Sequence, residues 1–148
     1  MKSAFLAVAA TLFIGCHVSE PALSPPLTDI AAILARSSAN HGKVVRVRGA
    51  ALVRFEASFI CPTPETLDSP GSAKKCLSLV PGESDGSAYD IRPLDGKTVE
   101  VVGRLNTKSF GHMGAYGGTI AVTWGNVTGS HNMPEAPPPP PPPGSSAN

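Results

Sequence analysis

Two patterns of apolar residues divide this chain. From Ala4 to Ile14 they run on without a charge, whereas from residue 28 to 131 they come in short stretches between glycines and prolines. Short alternating stretches bounded by turn residues predict half-buried strands. The clearest one occurs twice. Gly42-Lys43-Val44-Val45-Arg46-Val47-Arg48-Gly49 returns as Gly96-Lys97-Thr98-Val99-Glu100-Val101-Val102-Gly103, both reading G-K-x-V-x-V-x-G. Alternation places Val45, Val47, Val99 and Val101 on one face and Arg46, Arg48 and Glu100 on the other. If the two strands pair, Arg46 or Arg48 lies beside Glu100 in an exposed ion pair contributing about 0.2–1 kcal/mol. The glycine that closes each repeat predicts a bulge or sharp bend, as a small closed barrel requires.

Between the repeats, Val53 to Cys61 and Cys76 to Val80 read as strands on either side of a loop with Pro62, Pro64, Pro70 and Gly71. Pro81 to Ser87 reads as a turn and Tyr89 to Leu94 as a short irregular or single-turn segment. Thr119 to Val127, β-branched and containing Trp124, is the last strand. Ahead of them all, Thr28 or Asp29 can cap a short helix through Ile30, Ala31, Ile33 and Leu34, ending near Asn40-His41-Gly42. Five strands with a short turn of structure before the fourth predict an all-β fold: a small five-stranded OB-like Greek-key barrel with a short N-terminal helix and disordered tails. In that topology the first and fourth strands are neighbours, which suits the repeat. A β-sandwich fragment or an SH3-like barrel is the alternative architecture.

The chain ends add location. Met1-Lys2-Ser3, the apolar run and Gly15 have the anatomy of a secretory signal. With Cys16 next, Leu12-Phe13-Ile14-Gly15-Cys16 resembles the lipobox of a bacterial lipoprotein signal, with Phe13 where Leu is usual. The resemblance implies lipidation of Cys16, which becomes the mature N-terminus, and attachment to the membrane through lipid alone. His17, where an Asp would signal retention, implies the outer membrane, facing the periplasm. The expected organisation is a signal peptide over 1–15, a flexible tether over 16–27, an OB-like barrel domain over 28–131 and a Pro-rich disordered tail over 132–148. Seven prolines, Pro137 to Pro143, give that tail an extended polyproline II spacer.

Charge narrows the partners. Of twelve Lys and Arg, Lys2 leaves with the signal, so eleven face eleven Asp and Glu. A neutral chain has no electrostatic footprint for polyanions, so nucleic acid is not an expected partner. Export leaves Cys61 and Cys76 together in an oxidising compartment, where a disulfide is expected. A metal pair lacks further ligands at metal spacing, and two free thiols are the other alternative.

The most distinctive stretch is Phe110-Gly111-His112-Met113-Gly114-Ala115-Tyr116-Gly117-Gly118-Thr119-Ile120. With Gly96 to Gly103 and Phe55-Glu56, it resembles an uncharacterised OB-fold-like bacterial family. In that family a G-K-x-V-x-V-x-G strand precedes a G-H-M-G-x-Y-x-G-x-I element, and the resemblance spans roughly residues 28 to 128. It implies a fold and a region of interest, and no activity; Gly117 stands where a small polar residue is commoner. Glycines let backbone amides approach a ligand, and His112, Tyr116 and Glu56 add polar groups that can converge there. Alternatively the glycines only make a tight connection, Tyr116 caps the barrel mouth, and His112 bonds a nearby carbonyl.

The four histidines His17, His41, His112 and His131 are scattered without metal spacing, and no G-x-S-x-G, H-E-x-x-H, Walker or S-x-x-K element occurs. Trp124 and the Phe residues read as core. The sequence thus points away from an enzyme and from any cofactor or metal. It points to a lipid-anchored envelope protein binding a periplasmic protein or glycan through the Gly111–Gly118 loop. The alternatives are a spacer lipoprotein without a ligand site and an enzyme using Glu56 and His112.

Overall fold

The computed structural model describes residues 24–69 and 71–130. The expected signal peptide, Cys16, His17, His131 and the Pro-rich tail lie outside them, as does the tether up to residue 23. Seven strands follow in order: β1 (Val44–Val53), β2 (Ser58–Cys61), β3 (Leu77–Pro81), β4 (Glu83–Ser84), β5 (Ser87–Ala88), β6 (Lys97–Asn106) and β7 (Thr119–Ser130). Five of them close a barrel in the order β1-β2-β3-β7-β6. Only β3 and β7 run parallel; the other barrel pairs are antiparallel. This is the expected small all-β, OB-like barrel.

The repeat pairs with itself. β1 and β6 run antiparallel with Val47 opposite Val101 and Arg48 opposite Glu100. Val45, Val47, Val99 and Val101 all point inward and are buried, beside Ile60, Leu77, Leu79, Leu105, Ile120 and Val122. Each such side chain contributes about 1.5–3 kcal/mol on leaving water. Gly103 sits where the β6–β7 register shifts, and a Cβ there would stand 2.2 Å from the Ala121 carbonyl oxygen. The glycine therefore lets two strands pass at a bulge.

Both barrel ends are plugged. At one, α1 (Ile30–Ala35) inserts Ile30 and Ile33 into the core. At the other, a 3-10 turn over Arg92–Leu94 delivers Leu94 beside Ile91. The expected single helix breaks at Arg36, and α2 (Ser37–Asn40) continues it. Asp29 holds the N-cap position without a side-chain capping bond; its backbone oxygen accepts from the Ile33 N–H at 3.0 Å.

Four expectations need correction. Val53 to Cys61 is not one strand: β1 ends at Val53, residues 54–57 turn, and β2 starts at Ser58. Pro81 to Ser87 is not a turn alone: Pro81 ends β3, and Glu83 to Ala88 form the β4–β5 hairpin, whose Asp85 and Gly86 both have positive φ, as a two-residue turn of the right twist demands. Glu100 is 4 % exposed and bridges both arginines, so the ion pair is not an exposed one. Trp124 is 45 % exposed on the outside of the barrel rather than in its core, and Phe55 and Phe110 are exposed too.

Candidate functional site

Two loops rise beside the β2–β3 surface. The β1–β2 turn carries Arg54, Phe55, Glu56 and Ala57, and the β6–β7 connection carries Phe110 to Gly118. Between them lies an open groove of about 340 Å3, whose lining includes Arg54, Phe55, Glu56, Ser58, Ser78 and His112. Glu56 and His112, far apart in sequence, thus share one groove. No hydrogen bond or ion pair joins them among the described residues, so an acid–base couple is not assembled in this state.

The turn is fixed from outside itself. Asp95 accepts the Val53 N–H at 2.9 Å through one oxygen and pairs with the Arg54 guanidinium through the other. Ser58 Oγ donates to the Arg54 carbonyl at 3.3 Å. Phe55, at the tip, is fully exposed. An aromatic ring standing in water on a pinned turn has no packing role to account for it.

The second loop is fixed by backbone geometry and by one cation. Gly111 has φ 65° and ψ −159°, a conformation open essentially only to glycine. A Cβ there would also lie 2.6 Å from the Ser78 Cβ and from the Tyr116 ring. Met113 adopts φ 52° and is 90 % exposed. Lys74, in a 3-10 turn over Ser72–Lys75, donates to the carbonyls of Gly114 at 2.6 Å and Tyr116 at 3.2 Å. Its ammonium also lies 5.2 Å from the centre of the Phe110 ring.

Beneath this loop is a second, smaller core. Cys61 and Cys76 form the expected disulfide and bury together with Tyr116, against which Phe59 stacks at 5.0 Å between ring centres. The Cys76 carbonyl accepts the Gly117 N–H at 3.0 Å. Tyr116 therefore supports the groove from behind and does not line it. Burial raises the pKa of its phenol above the ordinary tyrosine value.

Of the three candidate binding residues, the fold brings Glu56 and His112 into the groove and sets Tyr116 under it. Sequence reasoning passed over Lys74, Asp95 and Ser78, which lie beside Cys76 and the second repeat but belong to no motif themselves. Met113 had a readable signal, a large apolar residue between His112 and Gly114 in a glycine-rich connection. No group of three His, Cys, Asp or Glu side chains among the described residues is placed to hold a metal ion. Compared with family models, curated proteins and solved structures, the chain has no match.

Proposed function

We propose that this is a lipid-anchored envelope protein that binds a cell-envelope glycan in the groove between the β1–β2 turn and the β6–β7 loop, without transforming it. One observation carries the reading: Phe55 and Met113 stand exposed on the two loops flanking a groove lined with hydroxyl and charged side chains. Sugars present apolar C–H faces and rings of hydroxyls. An exposed aromatic can cover the first, while Ser58, Ser78, Arg54, Glu56 and His112 can bond the second. OB-type barrels bind oligosaccharides across this same surface, between these two loops. The held backbone of both loops favours binding, because little ordering is left to be done on contact. Within the groove Arg54 is paired with Asp95 and Glu56 adds a negative charge, which gives no basic track for nucleic acid there.

The test is co-sedimentation of the purified mature chain with isolated peptidoglycan sacculi. The protein is expected to sediment with them, and the double variant Phe55→Ala, His112→Ala to stay in solution with an unchanged melting temperature. Equal sedimentation of the variant ends the site assignment. Failure of the wild type to sediment ends the glycan reading.

The shared groove of Glu56 and His112 favours one second reading, an acid–base enzyme on the same ligand. Release of soluble sugar fragments by the wild type and not by Glu56→Gln would replace binding with hydrolysis.

A further inference from the structure

The barrel has a second organised surface, on the side away from the groove. β6 has β1 and β7 as neighbours, and β2 and β3 are the two barrel strands that do not touch it. Across the outer face of β1, β6 and β7 the side chains stand in three rungs: Val44–Arg104–Ala121, Arg46–Val102–Trp124 and Arg48–Glu100–Asn126. Trp124 is 45 % exposed and Val44 46 %. Three arginines oppose one glutamate in these rungs, with Glu83 in the adjoining hollow beside Arg104. An indole among aliphatic side chains and guanidinium groups combines an apolar body with fixed positive charge.

The chain reaches the barrel across this same face. Ser24 lines a shallow hollow of about 270 Å3 with Arg46, Val102 and Trp124. Leu27 then makes a parallel bridge to Arg46, and the Thr28 N–H donates to the Arg46 carbonyl at 2.8 Å. The last residues of the expected tether are therefore held against β1. Only eight chain steps lead from Cys16 to Ser24, a reach of at most about 28 Å.

We propose that the Arg46–Trp124 face rests on the bilayer surface and contacts anionic phospholipid headgroups, leaving the groove pointing away from the membrane. The proposal rests on lipidation of Cys16 as part of the function proposed above. A lipid at Cys16 brings this side of the barrel, where the chain arrives, within reach of the headgroups. Trp belongs at that depth, with its ring in the interface and its N–H in water. The arginines see the negative surface potential only within about 10 Å, a distance to which the tether lets them come.

Trp124 is the only tryptophan in the chain, so its fluorescence reports this face alone. The native lipidated protein is reconstituted into vesicles of phosphatidylethanolamine and phosphatidylglycerol, with and without bromine on the acyl chains. A parallel arm holds the mature Cys16→Ser chain by an N-terminal polyhistidine tag on nickel-chelating lipid in the same vesicles. In both arms Trp124 emission is expected to shift to the blue and to lose most of its intensity to bromine. The quenching should weaken in Arg48→Gln, in phosphatidylcholine alone and at high salt. Floating protein with unquenched emission in both arms overturns the face and leaves the anchor standing. A native chain that does not float, beside a tagged chain that is quenched, overturns the anchor and leaves the face. Quenching equal in phosphatidylcholine and in anionic vesicles overturns the role given to the arginines.

Discussion

The ammonium of Lys74 donates a 2.6 Å hydrogen bond to the carbonyl oxygen of Gly114, so a side chain from beside the disulfide holds the β6–β7 loop from behind. The contact is charge-assisted yet open to water, which limits its net contribution to about 1 kcal/mol. Lys74→Ala should therefore cost little stability and act mainly on the loop. Amide exchange across residues 111–117 is expected to speed up, and affinity for the ligand of the groove to fall roughly fivefold. Unchanged exchange in that segment would mean that the glycine geometry alone holds the loop.

The Cys61–Cys76 bond acts one step further back. It closes a stretch with a sequence separation of 15 residues, which the chain-entropy model values at about 3 kcal/mol. For a domain this size that predicts a fall in melting temperature of roughly 10–20 °C on reduction or in the Cys61→Ala, Cys76→Ala pair. Because the Cys76 carbonyl receives the Gly117 N–H, the loss should also loosen the groove before the barrel melts. Thermal circular dichroism with and without reductant decides it, and coincident curves would remove the disulfide from the account.

Much of this was legible in the chain, and the reasons for the rest are local. The paired G-K-x-V-x-V-x-G segments announced β1 against β6 because alternation and matching glycines survive any register. The cysteine pair was readable from the expected compartment. The β1–β2 turn was not, since Arg54-Phe55-Glu56-Ala57 contains no Gly, Pro or Asn; its fold comes from Asp95, 41 residues from Arg54. Trp124 misled for a different reason. Simple alternation sets Ile120, Val122 and Trp124 on one face, but the register shift places Val122 opposite Gly103 and Trp124 opposite Val102. The extra residue, Thr123, turns the indole outward. In the groove, sequence motifs indicated Glu56 and His112, whereas the supporting role of Tyr116 follows from its stacking on Phe59, which no spacing reveals.

Two glycines of the same loop should behave unlike each other. Gly111 combines a glycine-only backbone with a Cβ position 2.6 Å from Ser78 and Tyr116, whereas Gly114, at φ 67°, has nothing within 4 Å of where a Cβ would go. Gly111→Ala must move packed atoms as well as strain the backbone, and should lose about 2–4 kcal/mol. Gly114→Ala meets the backbone cost alone, about 1–2 kcal/mol. Chemical denaturation of both variants tests the order. Equal losses would show that the loop relaxes away from Ser78 without penalty.

Acid should strip the outer face of its central ion pair. Glu100 accepts from Arg46 Nε at 2.7 Å and from Arg48 at 3.0 Å. The Arg46 hydrogen bond foremost, with that of Arg48 and the charge of both guanidiniums, holds its carboxyl below the ordinary glutamate value against the opposing effect of burial. A carboxylate whose folded pKa is depressed stabilises the fold fully above its unfolded pKa of about 4.3, and loses that stabilisation as pH falls through the folded value. Glu100→Gln cannot ionise, so the stability gap between wild type and variant should be widest near neutrality and shrink below about pH 4. Asp90, held at about 2 first by its hydrogen bond to the Arg92 side chain, is common to both proteins, so the difference isolates Glu100. Urea titrations from neutral to acid pH supply the comparison. A gap that stays constant across the range would place the carboxylate outside the balance that holds β1 to β6.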